Sequence, residues 1–181
     1  MRELTLLEPE TVDSVVRMLD ELGADAKVLA GGTALVLLYN QGLIEPRYFV
    51  SLARIAELDY LRRDADGTLA LGAMATHRAV ERSAVVRDAS PLLANVFHQV
   101  ANVRVRNQAT VGGVVAEADY ASDPPTALVA LGAKVRLASA AGTRIVPMAG
   151  FVRDFFETAI DPGEIVTGIT VPPLPAGSRT A

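Results

Sequence analysis

The chain has 181 residues, half of them hydrophobic, and a net charge of −4 at pH 7. That length suits one domain or two small subdomains around a shared core, and the apolar fraction excludes low-complexity disorder. Cysteine is absent, which excludes disulfides, thiolate chemistry and any iron–sulfur cluster held by this chain. Only His77 and His98 offer imidazole, in no spacing that suggests a metal site, so no metal is expected. No Lys/Arg-rich run is present, so neither nucleic acid nor an anionic membrane is expected as a partner. The start, Met1-Arg2-Glu3-Leu4-Thr5, lacks the apolar region of a signal peptide. No apolar stretch reaches the roughly 18–20 residues of a membrane span. The expectation is a cytoplasmic protein.

Thr11 is placed to cap a helix in which Val12, Val15, Val16, Leu19 and Leu22 recur at helical spacing, with Gly23 as its stop. Lys27 to Ala30 predicts a short strand that ends in Gly31-Gly32-Thr33. Ala34 to Tyr39 restarts as a helix, and Tyr48 to Val50 reads as a second strand. This alternation favours a small α/β unit with parallel strands. The pattern then changes. Leu58 to Leu61 and Thr68 to Gly72 predict strands joined by a turn at Asp64-Ala65-Asp66-Gly67. Thr76 caps a predicted helix carrying Ala79 and Val80, and Pro91 opens another through Leu92, Leu93, Val96 and Val100. Val111 to Ala116 reads as a strand containing Gly112-Gly113. Asp123-Pro124-Pro125 predicts a helix start, with a capping carboxylate followed by proline. Strands are expected at Lys134–Ala138, Thr143–Pro147 and Ile165–Val171, and the tail from Pro173 is expected to be loose. The fold class is α+β: a small parallel α/β subdomain (1–55), then an α+β subdomain with mostly antiparallel strands (56–173), then a tail (174–181).

Two segments share one chemistry: Val28-Leu29-Ala30-Gly31-Gly32-Thr33 and Ala109-Thr110-Val111-Gly112-Gly113. Each sets paired glycines and a hydroxyl beside an apolar run. Glycine permits positive φ and close backbone approach, and successive free N–H groups form an anion-binding nest. A pyrophosphate needs those features. A single Gly-Gly is more often an ordinary turn. Neither loop matches G-x-G-x-x-G or G-x-x-x-x-G-K-[ST], so a dinucleotide fingerprint and a P-loop are poorly supported.

In these residues the chain resembles the flavin domain or subunit of molybdenum hydroxylases, the xanthine dehydrogenase and carbon monoxide dehydrogenase family with the PCMH-type FAD-binding fold. Leu29 to Thr33 resembles the first flavin loop. Arg106-Asn107-Gln108-Ala109-Thr110-Val111-Gly112-Gly113 resembles the second, R-N-x-x-T-[IV]-G-G-N. Ala118 to Pro125 is similar to A-x-P-A-S-D-x-P, and the stretches Ala127–Ala133, Pro162–Val166 and Ile169–Pro172 continue the likeness in order. The resemblance implies FAD extended between two subdomains. It also implies partner chains: a large molybdopterin subunit and a small subunit with two [2Fe–2S] clusters, from which electrons pass through FAD to an acceptor. No catalytic side chain is implied, because the flavin carries the chemistry.

Carried over residue by residue, Ala30, Gly31, Gly32, Thr33, Ala34 and Leu35, with Leu29 before them, would wrap the diphosphate and ribityl chain. Thr110, Val111, Gly112 and Gly113 would donate to the diphosphate, with Val114 beside them. Asp123 would accept from a sugar hydroxyl, although helix capping explains it equally. Val100, Ala101 and Val166 match apolar flavin contacts. Arg104 and Arg106 are expected in surface or structural pairing rather than on phosphate, and His77 and His98 on a helix surface or in the core. Three residues depart from the pattern: Val114 replaces an asparagine, Ala34 an acidic or polar residue, and Tyr120 the proline before Ala121-Ser122-Asp123. The family's C-terminal domain is also absent from this sequence. These departures motivate an alternative, a non-catalytic assembly or scaffold protein of the same fold that has lost FAD. A third reading, a self-contained flavin oxidase, lacks a general base and an attachment site.

Overall fold

The structure, a computed structural model, describes residues 4–175 together with 177 and 178. Met1 to Glu3, and the part of the expected loose tail at 176 and 179–181, lie outside the described residues.

The first unit is β1 (Thr5–Leu7), α1 (Val12–Leu22), β2 (Ala26–Leu29), α2 (Leu35–Asn40) and β3 (Tyr48–Ser51). The Thr11 side chain accepts from the Ser14 N–H, which caps α1, and Gly23 closes it at φ +53°. The strands form a parallel sheet in the order β1-β3-β2, with Thr5 and Ala26 both opposite Tyr48. Its core packs Val15, Val16 and Leu19 of α1 against Val50, Leu52, Ile55 and Leu58, and it is completed by Ala138 and Ile165. Those last two residues belong to the second unit, so the two units share this core.

The second unit opens with the hairpin β4 (Leu61–Arg63) and β5 (Leu69–Gly72). Six helices come next: α3 (His77–Arg82), α4 (Ala84–Ala89), α5 (Pro91–Gln99), α6 (Val103–Gln108), α7 (Val111–Glu117) and α8 (Asp123–Ala130). Then come β6 (Lys134–Ser139), β7 (Gly142–Pro147), the small hairpin β8 (Val152–Asp154) and β9 (Glu157–Thr158), and β10 (Ile165–Val171). The sheet is antiparallel in the order β4-β5-β10-β6-β7, so the last long strand sits at its centre. Leu71, Val135, Leu137 and Ile169 of the sheet and Val80, Leu93, Phe97, Val111, Val115 and Leu128 of the helices form the main core.

Three expectations are corrected. Leu58–Leu61 is not a strand: Ala56–Leu58 is a single 3-10 turn and the strand begins at Leu61. Leu58 is buried, and its N–H closes a turn on Ile55 O at 3.1 Å, which keeps Ala56–Leu58 out of a strand. Val111–Ala116 is not a strand but most of α7. Its buried residues Val111, Gly112 and Val115 fall at i, i+1, i+4, a helical face that the short apolar run disguised. Asp123 is not the cap of α8. Ser122 holds the cap position, its side chain makes no cap hydrogen bond, and Asp123 is the first helical residue.

Among the described residues no helix is long and apolar enough to cross a membrane, and no group of three or more His, Cys, Asp or Glu side chains is placed to hold a metal ion.

Candidate functional site

The two double-glycine loops meet. Gly31 follows β2 after one residue, Ala30, and lies against the backbone before α7: a Cβ built on it would sit 1.9 Å from the Gln108 carbonyl oxygen and 3.1 Å from Ala109 Cα. Only glycine fits there. Gly113 faces the same junction, where an added Cβ would lie 2.9 Å from Thr110 Oγ1 and 3.8 Å from Ala30 Cβ. Gly32 adopts φ +73°, which turns the chain from β2 into α2. Residues about 80 positions apart are thereby fixed within van der Waals contact.

The loops differ in what their N–H groups do. Among the described residues, the N–H groups of Gly31, Gly32, Thr33, Ala34 and Leu35 find no protein acceptor, and the first bond of the helix after them is Val36 N–H to Gly32 O at 3.1 Å. These five residues are half-buried, apart from exposed Thr33. Consecutive free donors running into a helix start are open to an outside acceptor, which suits an anionic ligand. In the second loop the three N–H groups after Thr110 are held by protein. Val111 N–H donates to Ala75 O at 2.9 Å, Gly112 N–H to Ala73 O at 2.8 Å, and Gly113 N–H to Thr110 Oγ1 at 3.1 Å. The expected donation from these N–H groups to a diphosphate therefore has no free donors behind it. Gly112 is required for another reason: its added Cβ would lie 2.7 Å from Ala73 Cβ. Of this loop the Thr110 N–H and the Thr110 hydroxyl keep a proton to give.

The other expected site residues lie on α7, α8, β10 and the turn between α5 and α6. Val100 is half-buried, and Ala101 is exposed with φ +44°. The carbonyls of both accept from Arg106 Nη1, at 2.8 and 3.2 Å, and Arg106 Nε pairs with Glu81 at 3.0 Å. Arg106 is thus structural, as expected. Arg104 is exposed. Val114 is half-buried and packs on the main core. Val166 is buried in that core, just before the irregularity in β10, and α7 packs across this strand. Asp123 is exposed at the first turn of α8, which packs on α7, and its carboxylate makes no hydrogen bond among the described residues.

His77 gave no sequence signal of its place in this site. It is buried against Phe97, its Nε2 lies 3.3 Å from the Thr110 carbonyl oxygen, and its Nδ1 has no hydrogen-bond partner among the described residues. Burial pushes its pKa down to about 4; the Thr110 carbonyl works against this and the Arg106 charge adds to it. The ordinary value of the unfolded chain is about 6.5. Because the folded value is the lower one, the unfolded state takes up the proton first. The stability tied to neutral His77 is complete above about pH 6.5 and lost as pH falls towards 4, by about 3 kcal/mol in all. Urea midpoints of the parent and of His77→Leu between pH 7 and 4 check this: the parent is expected to fall more steeply, and parallel curves would refute it. Glu117, at the end of α7, has its carboxyl raised by burial and by neighbouring Asp119.

Comparison with known proteins fits this geometry. Residues 2–174 match the family described as the FAD binding domain in molybdopterin dehydrogenase. The chain is 35% identical over 172 residues to the 6-hydroxypseudooxynicotine dehydrogenase complex subunit alpha of Paenarthrobacter nicotinovorans, covering 95% of this chain and 58% of that one. It is 32% identical over 173 residues to the carbon monoxide dehydrogenase medium chain of Hydrogenophaga pseudoflava, covering 96% and 60%. Among solved structures it superposes with a TM-score of 0.94 on carbon monoxide dehydrogenase from Hydrogenophaga pseudoflava, at 32% identity and with 97% and 61% coverage. Quinoline 2-oxidoreductase from Pseudomonas putida 86 gives 0.91, at 32% identity and with 96% and 60% coverage. The chain spans about three-fifths of the length of these relatives. With a match that runs through both glycine loops and almost the whole sequence, this chain belongs to the FAD-binding domain family of the molybdopterin dehydrogenases.

Proposed function

We propose that this chain binds FAD across the junction of its two glycine loops and serves as the flavin-carrying part of a molybdenum-hydroxylase-type oxidoreductase. The observation that carries this reading is the run of five unpaired N–H groups from Gly31 to Leu35, held beside Thr110 by contact with Gln108 and Ala109. These donors would take the diphosphate, with the Thr110 hydroxyl beside them. Gly112, Gly113, Val111 and Val114 shape the wall rather than supply donors. The free carboxylate of Asp123 would accept from a sugar hydroxyl. Val100 and Ala101, fixed through their carbonyls by Arg106, would border the flavin ring. Val166 supports α7 from the core rather than facing a ligand directly. When bound, FAD supplies the capacity to take up and release electrons; the protein supplies position. The partners in this reading are a large molybdopterin subunit and a small [2Fe–2S] subunit, which agrees with a chain that has no cysteine.

FAD titration of the purified chain tests the reading. Saturable binding with a flavin spectrum is expected. The melting temperature should rise, since a ligand at a hundred times its Kd stabilises the native state by about 2.7 kcal/mol. No binding in the micromolar range would remove the reading. The scaffold alternative has no observation in its favour: the Ala34 N–H is still free, and Val114 turns towards the core without closing the loop.

A smaller effect is expected for Asp123→Asn. The amide still accepts one hydrogen bond but loses the charge, worth about 1.5–3 kcal/mol. FAD affinity should fall roughly ten- to a hundredfold with an unchanged melting point for the free protein. Calorimetric titration reads this directly, and unchanged affinity would remove Asp123 from the site.

A further inference from the structure

On the far side of the Glu81–Arg106 pair lies an open groove between α3, α4 and α5, lined by Arg78, Glu81, Arg82, Arg87, Asn95 and His98. Its floor is pre-organised. The Glu81 side chain is 9% exposed and is held by Arg78, by Arg106 Nε at 3.0 Å and by His98 Nδ1 at 3.0 Å. Its one carboxylate is therefore already engaged. Arg82 and Arg87 are exposed and make no ion pair among the described residues, whereas Arg47, Arg54, Arg62 and Arg144 each meet a carboxylate. Three guanidinium groups, of Arg78, Arg82 and Arg87, thus line the groove with one carboxylate, on a chain whose net charge is −4. A concave surface of net positive charge focuses its field and speeds the encounter with a complementary partner.

We propose that this groove is a docking site for an acidic polypeptide segment on a partner protein. Guanidinium forks suit carboxylates, and arginine is enriched in protein interfaces. Nucleic acid is disfavoured by the net negative charge and the lack of any basic run. A small phosphate is disfavoured because the groove is wide and open and its charge is carried on long side chains spread over three helices. The Arg106 guanidinium behind the groove also holds the Val100 and Ala101 carbonyls, so a docked partner would sit one side chain away from the turn assigned to the flavin. The docking itself does not require FAD.

The test uses the full chain without added FAD and a fluorescein-labelled octaglutamate peptide, read by anisotropy at low and physiological salt. Binding is expected to weaken steeply with salt. Arg82→Glu/Arg87→Glu should lose at least about tenfold in affinity with an unchanged melting curve. Arg17→Glu/Lys27→Glu alters net charge equally at exposed positions elsewhere, and it should bind like the parent. Arg82→Ala/Arg87→Ala serves if charge reversal perturbs the fold. Equal losses in the groove and control variants would reduce the effect to net charge and overturn the proposal. So would displacement of the peptide by an equal concentration of inorganic pyrophosphate, which would identify a small-anion site. Because FAD is left out, failure here is separate from failure of the flavin reading.

Discussion

Gly31→Val is expected to abolish FAD binding and to destabilise the fold by several kcal/mol. The Cβ would be driven to 1.9 Å from the Gln108 carbonyl oxygen and 2.7 Å from its carbon, both backbone atoms that no rotamer change can move aside. The first loop must then part from the second by more than an ångström. Overpacking of this kind costs about 1–3 kcal/mol in ordinary cores and more where backbone meets backbone. The separation also displaces the five free N–H groups from Gly31 to Leu35 relative to Thr110. Calorimetry should detect no FAD binding at a hundred times the parent Kd, and urea denaturation should show the lowered midpoint. Gly31→Ala carries the same Cβ and should behave nearly as badly. Parent-like binding by either variant would mean that the loop contact does not set the site.

Gly112→Val is expected to act through packing. Its Cβ would meet Ala73 Cβ at 2.7 Å and Ala73 O at 2.9 Å, inside the main core, where the Gly112 N–H already donates to that same carbonyl. The branched side chain must push α7 off the segment between β5 and α3 and break the bonds that seat it. The expected loss is about 3 kcal/mol of stability or more, with FAD affinity falling because Thr110 moves with α7. A second-site test separates this from direct occlusion of a diphosphate. Gly112→Ala should be partly rescued by Ala73→Gly, which removes the Cβ–Cβ clash. If Gly112→Ala kept full stability yet lost FAD, and Ala73→Gly did nothing, the glycine would face the ligand after all.

Much of this fold could be read from the chain itself. Thr11 and Gly23 bracket α1 where their chemistry requires, and the switch from helix–strand alternation to hairpins marks the change from the parallel to the antiparallel sheet. What escaped was short or set by distant contacts. The helices α4 and α6 have six residues each, capped by Ser83 and Asn102, too few for a hydrophobic period to emerge. The three-residue β1 and the β8–β9 hairpin are shorter still. The identity of both glycine loops was legible, but their division of labour was not. Both Gly-Gly pairs pack closely, but the N–H groups of Gly31 and Gly32 are left free whereas those of Gly112 and Gly113 are held, a difference decided by Ala73 and Thr110. His77 was legible only as a buried or surface histidine, because its partner carbonyl lies 33 residues away.

Backbone amide chemical-shift mapping of the nitrogen-15-labelled chain during FAD titration tests the central claim most directly. At 19.1 kDa the chain suits the measurement. The N–H resonances of Gly31, Gly32, Thr33, Ala34 and Leu35 should shift most and gain protection from exchange, since they acquire acceptors they lack. Val111, Gly112 and Gly113 should shift less and remain protected throughout, because Ala75, Ala73 and Thr110 already hold them. Saturable binding that leaves the Gly31–Leu35 amides unmoved would contradict the account, whatever the affinity.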